Sequence, residues 1–142
     1  MIEAGIRGVL ERTVEEKHTA KTVGSGELEV LATPVMIAWM EETAWKSLRD
    51  YLEPGWSTVG SRIEISHLSP TPVGMKVRCE TEVTLVDRRR VVFRVEVFDA
   101  AGKIREGIHE RFAVQADRFL QKAGEKAAAP VGKDAAGSGE KR

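Results

Sequence analysis

Residues 32–45, ATPVMIAWMEETAW, are mostly apolar, open on a helix-start signal and carry two adjacent glutamates, Glu41 and Glu42. Thr33 is a good N-cap, and Pro34 fits a first helical turn, where its missing N–H costs nothing. The helical pattern runs to Leu52, and the Pro-Gly of EPGW (residues 53–56) stops it. With Met36 set at 0° and about 100° per residue, Ile37, Met40, Ala44, Trp45, Leu48, Tyr51 and Leu52 fill an arc from about 40° to 180°. Glu42 falls on the opposite, charged side, four residues before Lys46, the favourable spacing for an ion pair. Glu41 falls near 140°, inside the apolar arc. A carboxylate there needs a partner or a purpose, because burying it unpaired costs several kcal/mol. It reads equally as a core-edge residue paired with an arginine and as a functional group.

Outward from this helix the sequence alternates like β-structure. Residues 8–19 read as a first strand, and VGSGE (23–27) as a loop. After the helix, residues 57–68 place Val59, Ile63 and Ile65 on one parity. Residues 75–86 place Met75, Val77, Cys79, Val83 and Leu85 on one parity against charged residues on the other. A tight VDRRRV connection leads to a strand over 91–98, and DAAGK is a hairpin turn into a last strand over 104–114. One helix against a meander of antiparallel strands predicts an α+β layer fold whose sheet wraps the helix. From about Lys122 the chain is rich in Ala, Gly and Lys with little apolar bulk, so residues 1–120 read as one domain and 121–142 as a disordered tail.

Charge is balanced at 22 basic against 22 acidic residues, which offers no global field for nucleic acid or an anionic membrane. No apolar run approaches the ~20 residues of a membrane span. The single cysteine, Cys79, suits a reducing cytoplasm. His18 and His109 have no metal-ligand partners at useful spacing, so no metal is expected.

In GSRIEISHLSP, His67 shares parity with Ile63 and Ile65 and is expected to face the helix. An inward histidine is ordinarily a satisfied core residue. An inward Glu41, an inward His67 and the Thr33 hydroxyl nonetheless form a usable nucleophile and acid–base set.

LATPVMIAWMEETA followed by VGSRIEISHLSPTPVG resembles the fluoroacetyl-CoA thioesterase branch of the hotdog-fold acyl-CoA thioesterases, over residues 5–118. The resemblance implies a five-stranded antiparallel sheet around one long central helix. It implies a homodimer, alone or paired into a dimer of dimers, with its active sites at the subunit interface. It also implies Thr33, Glu41 and His67 as catalytic residues, Gly60 as a backbone facing the thioester oxygen, and Arg111 of HERFAV near the site. The substrate is then an acyl-CoA, with no cofactor beyond the CoA of the substrate itself. The fluoroacetate-specific enzyme carries phenylalanines shortly before its catalytic Thr, whereas TVGSGELEVLATP (22–34) has no aromatic residue, so a different acyl group is expected. Glu41 could serve as nucleophile or as base on water, and Thr33 could itself attack. Arg88, Arg89 and Arg90 are candidates for the CoA phosphates, against the plainer reading of a solvated turn. A non-catalytic acyl-CoA binder on the same fold is the alternative, and a hotdog hydratase ranks behind it.

Overall fold

The computed structural model describes residues 1–127. Strand β1 (Arg7–Thr13) leads through a 3₁₀ turn (Glu16–His18) and the short helix α1 (Ala20–Val23) into the long helix α2 (Thr33–Leu48), which a 3₁₀ turn (Arg49–Tyr51) ends. Strands β2 (Trp56–His67), β3 (Lys76–Asp87), β4 (Arg90–Asp99) and β5 (Gly102–Gln115) follow, then helix α3 (Ala116–Ala127). The sheet is fully antiparallel in the order β1-β3-β4-β5-β2, so β1 and β2 are its edges. Its concave face wraps α2. Met36, Met40, Ala44 and Leu48 from the helix meet Val77, Cys79 and Val83 of β3 and Val91, Phe93, Val95 and Val97 of β4, all buried.

The element order matches the expectation, and four details differ. First, the buried face of α2 comprises Met36, Trp39, Met40, Thr43, Ala44 and Leu48, an arc from about 300° through 0° to 120°. Trp45 lies outside it, and Tyr51 lies past the end of α2 in the 3₁₀ turn; both are exposed. The sheet selects the side on which small and flexible residues allow close approach, and Glu41 becomes an edge residue of that face.

Second, three irregularities shift parity, at residues 61, 84 and 104, and two of them change which side chains face inward from the expectation. One, between Gly60 and Arg62, lets Thr58 and Gly60 share the inner face with Ile63 and Ile65, in place of Val59. The other, between Val83 and Leu85, leaves Leu85 exposed and packs Val86 against the core. Third, β1 ends at Thr13, and Thr19 caps α1 by accepting from the Thr22 N–H. Fourth, residues 116–127 are helical, so the boundary at 120 falls inside α3 and residues 121–127 belong to an ordered helix. The remainder of the expected tail lies outside the described residues.

Candidate active site

Strand β5 carries its polar residues inward. Arg105, His109 and Arg111 are buried, while Ile108 and Phe112 are 45% and 39% exposed. A sheet that turns guanidinium and imidazole groups toward its core must supply partners for each. Arg111 has four contacts. Its Nε donates to Thr58 Oγ1 at 2.9 Å and its Nη2 to the Thr58 carbonyl at 3.0 Å; its Nη1 reaches Glu41 Oε2 at 3.2 Å and His109 Nε2 at 3.1 Å.

His109 Nδ1 lies 2.8 Å from the Arg62 carbonyl oxygen. A carbonyl only accepts and a guanidinium only donates, so His109 is the neutral tautomer with its proton on Nδ1 and an accepting Nε2. Burial holds its pKa below the usual histidine value, and the neighbouring Arg111 charge acts in the same direction. Phe93 stacks on the ring at 5.9 Å. Burial likewise lowers the Arg111 pKa, against the opposing pull of Glu41.

The Glu41 side chain is 41% exposed and its Arg111 partner 6%. Solvent screening therefore limits the strength of the pair, and its consequence is positional: one carboxylate oxygen is held, while the other accepts no hydrogen bond among the described residues. Gly60 completes this cluster. A Cβ built there would collide with Glu41 Oε2 and stand 3.3 Å from Arg111 Nη1 and 3.4 Å from His109 Cε1. Absence of a side chain at Gly60 is what lets the carboxylate lie over the β2 backbone.

A second cluster lies at the start of α2. The N-cap is Ala32, with no side-chain cap, and Thr33 is the first helical residue. The capping role expected for Thr33 is therefore not the one it plays. Its exposed hydroxyl accepts from Arg105 Nη2 at 3.3 Å. Thr33, Pro34, Met36, Leu31, Ile104 and Arg105 line a cavity of about 370 Å³. His67 closes β2 with its Cα opposite Arg105. Thr33 and Glu41 are eight residues apart on one helix, about 12 Å along its axis, so within one chain they belong to separate clusters.

Arg105 and His109 belong to these two clusters, and sequence reasoning passed over their place in them. The signal was the shared parity of Arg105, His109 and Arg111, inverted relative to Ile108 and Phe112. His18 is structural: its Nδ1 accepts from the Glu15 N–H and its ring packs edge-on against Trp39. Among the described residues no group of three His, Cys, Asp or Glu side chains could hold a metal ion, and no helix is long and apolar enough to cross a membrane.

One helix inside a five-stranded antiparallel wrap, with a buried polar row facing a helix carboxylate, defines a hotdog-fold protein. The sequence profile described as FlK, fluoroacetyl-CoA-specific thioesterase, matches residues 14–117. The fluoroacetyl-CoA thioesterase of Streptantibioticus cattleyicolor is 35% identical over 98 residues, which are 69% of this chain and 70% of that one. A solved structure of the fluoroacetyl-CoA thioesterase FlK superposes with a TM-score of 0.84 at 29% identity, covering 92% of this chain and 99% of the other. A thioesterase-superfamily member from Thermus thermophilus superposes at 0.82 with 27% identity, covering 92% and 98%. The chain belongs to the fluoroacetyl-CoA-specific thioesterase family, and it is a thioester hydrolase acting on acyl-CoA.

Proposed function

We propose that Glu41 is the general base of this hydrolase, activating water for attack on the thioester carbonyl. The observation that carries the reading is the one-sided hold on its carboxylate. Arg111 engages Oε2, while Oε1 accepts no hydrogen bond among the described residues. The half-exposed side chain has water at hand. Arg111 is a positioning residue, itself aimed by Thr58 and neutral His109. The backbone of Gly60, beside the carboxylate, is the surface on which the thioester oxygen rests.

Thr33 and His67 act on the same substrate from the other subunit of a homodimer. The 12 Å offset along α2 separates Thr33 from Glu41 in one chain, and β2 is an edge strand paired only with β5. A two-fold axis joining the β2 edges antiparallel reverses the order of the clusters. Each Glu41 then faces the partner's Thr33. Thr33 binds the substrate and His67 protonates the departing CoA thiolate. The acyl group is small or medium and not specifically fluoroacetyl, a reading supported by the absence of aromatic residues from 22–34 and by the mainly aliphatic lining of the cavity beside Thr33. The buried lone Cys79 fits a cytoplasmic setting.

The test is thiol release from short, branched, aryl and fluoroacetyl CoA thioesters by wild type and Glu41→Gln. Glu41→Gln should lose about 10²- to 10⁴-fold in kcat, and mass spectrometry of quenched turnovers should find no acyl group on Glu41. Full activity in Glu41→Gln removes its role, and an acyl adduct on Glu41 makes it the nucleophile instead.

A further inference from the structure

A groove of about 350 Å³ lies where β2 begins, the β3–β4 turn closes and α3 starts. Three cations line it, Arg89, Arg118 and Lys122, with the aromatic rings of Trp56 and Phe119 and no carboxylate. The chain has as many acids as bases, and the cation beside this groove is paired: Arg90, next to Arg89, bonds Glu110 at 3.4 Å. None of the three groove cations joins an ion pair among the described residues. Arg118 and Lys122 are also i,i+4 neighbours on α3, a like-charge arrangement that weakens a helix unless an anion offsets it.

The groove is held in shape before anything binds. Gln115 Oε1 accepts from the Arg118 N–H at 2.7 Å, and the Ala116 N–H donates to the Gly55 carbonyl at 2.9 Å, which fixes the first turn of α3. The Arg89 guanidinium lies over the Trp56 ring at 5.1 Å, and its carbonyl accepts from the Ala113 N–H. Trp56 and Gly60 are four residues apart on one strand, about 13 Å, and share the parity of its inner face up to the bulge. That is the order of the span between the thiol and the diphosphate of CoA.

We infer that this groove binds the 3′-phosphorylated adenosine diphosphate end of CoA, with Arg89, Arg118 and Lys122 on the phosphates and the Phe119 ring against the base. The inference rests on Glu41 and Gly60 marking the thioester end. Of the DRRR cluster, only Arg89 serves the groove. Arg90 is committed to Glu110, and Arg88 occupies a turn position with φ 58°.

The test compares wild type, Arg118→Glu and Lys122→Glu by two measurements. The first is calorimetric binding of adenosine 3′,5′-bisphosphate. It reads the groove even if no thioester tried is turned over, so its result is independent of the assignment of Glu41. The second is hydrolysis of an acyl-CoA against the same acyl group on pantetheine. Each variant should weaken bisphosphate binding about tenfold, the size of one charge-assisted contact. The acyl-CoA KM should rise by a like factor while the pantetheine thioester is hydrolysed as by wild type. Competition between the bisphosphate and acyl-CoA is also expected. Unchanged binding in both variants overturns the inference. So does bisphosphate that binds without competing, which would mark a site for a free nucleotide. Lys122 has no structural partner among the described residues, so its variant reads the groove without disturbing the fold.

Discussion

Replacing Gly60 by alanine tests the seat of Glu41 with a single carbon atom. The new Cβ would overlap Glu41 Oε2, so the carboxylate must leave the β2 backbone; Arg111 Nη1 and His109 Cε1, at 3.3 and 3.4 Å, have little room to yield. Glu41 is 41% exposed and can swing into solvent, and its screened ion pair contributes at most about 1 kcal/mol. Alanine also restricts the unfolded chain more than glycine, a gain of about 0.4–1 kcal/mol. Folding stability should therefore stay within about 1 kcal/mol of wild type. Catalysis should not: displacing a reacting group by about 1 Å can cost 10²-fold, or about 2.7 kcal/mol of barrier. Thiol-release kinetics on the best substrate, beside a thermal melt, separate the two effects. Wild-type kcat in a folded Gly60→Ala protein would refute the placement of Glu41 over Gly60 as the productive one.

Other outcomes follow from the same contacts. His109 has a depressed pKa in the folded state, so below the unfolded value of about 6.5 the unfolded chain binds the extra proton and stability falls with pH. Urea midpoints between about pH 7.5 and 5.5 should show this slope, and His109→Gln should flatten it; the Glu42 contribution, whose pKa Lys46 lowers, is lost only in more acid solution. Gly8→Ala would place a Cβ 2.8 Å from the Thr43 carbonyl and 2.9 Å from Ser47 Cβ and Thr81 Oγ1, forcing α2 off β1 and β3. It should cost about 1–3 kcal/mol in urea titration, and Gly107→Ala should cost more, because its Cβ meets the Glu64 backbone of the paired strand; an unchanged midpoint for Gly8→Ala counts against this packing. Burial pushes the Cys79 thiol up to about 12, so the native protein should not react with a disulfide reagent that modifies the unfolded chain at once.

The helix and the four strands after it were legible because their periods are local. Thr33-Pro34 marks the start of α2, Pro54-Gly55 lies beyond its end, and Glu42 finds Lys46 at i,i+4 as expected. The parity shifts were not legible, since a bulge is one extra residue without a residue type of its own; Val59 and Leu85 share the apolar parity of their segments in the sequence but not the inner face in the fold for that reason. The rotation of the buried face of α2 depends on which side the sheet approaches, which no property of the helix alone states. Glu41 was found because it interrupts an apolar arc, and its arginine partner is Arg111. Arg105 and His109 stayed hidden because β5 inverts the usual rule, turning Ile108 and Phe112 outward to bring its polar row inward. Helix α3 was missed because its Ala-, Lys- and Gly-containing sequence carries few large apolar residues.

The bulge at Ser61 makes β2 two half-strands of opposite phase. Side chains alternate with period two, and Thr58 and Gly60 differ in sequence parity from Ile63 and Ile65, so both segments face inward only because Ser61 stands outside the ladder with no partner on β5. Removing Ser61 would let Gly60 and Arg62 follow one another opposite Arg111 and Glu110, a regular ladder that keeps Thr58, Gly60, Ile63 and Ile65 all on the inner face. Away from the bulge a one-residue insertion or deletion turns one segment to the outer face, so the spacing within Thr58–Gly60 and within Ile63–Ile65 is as much a part of the site as the residues themselves.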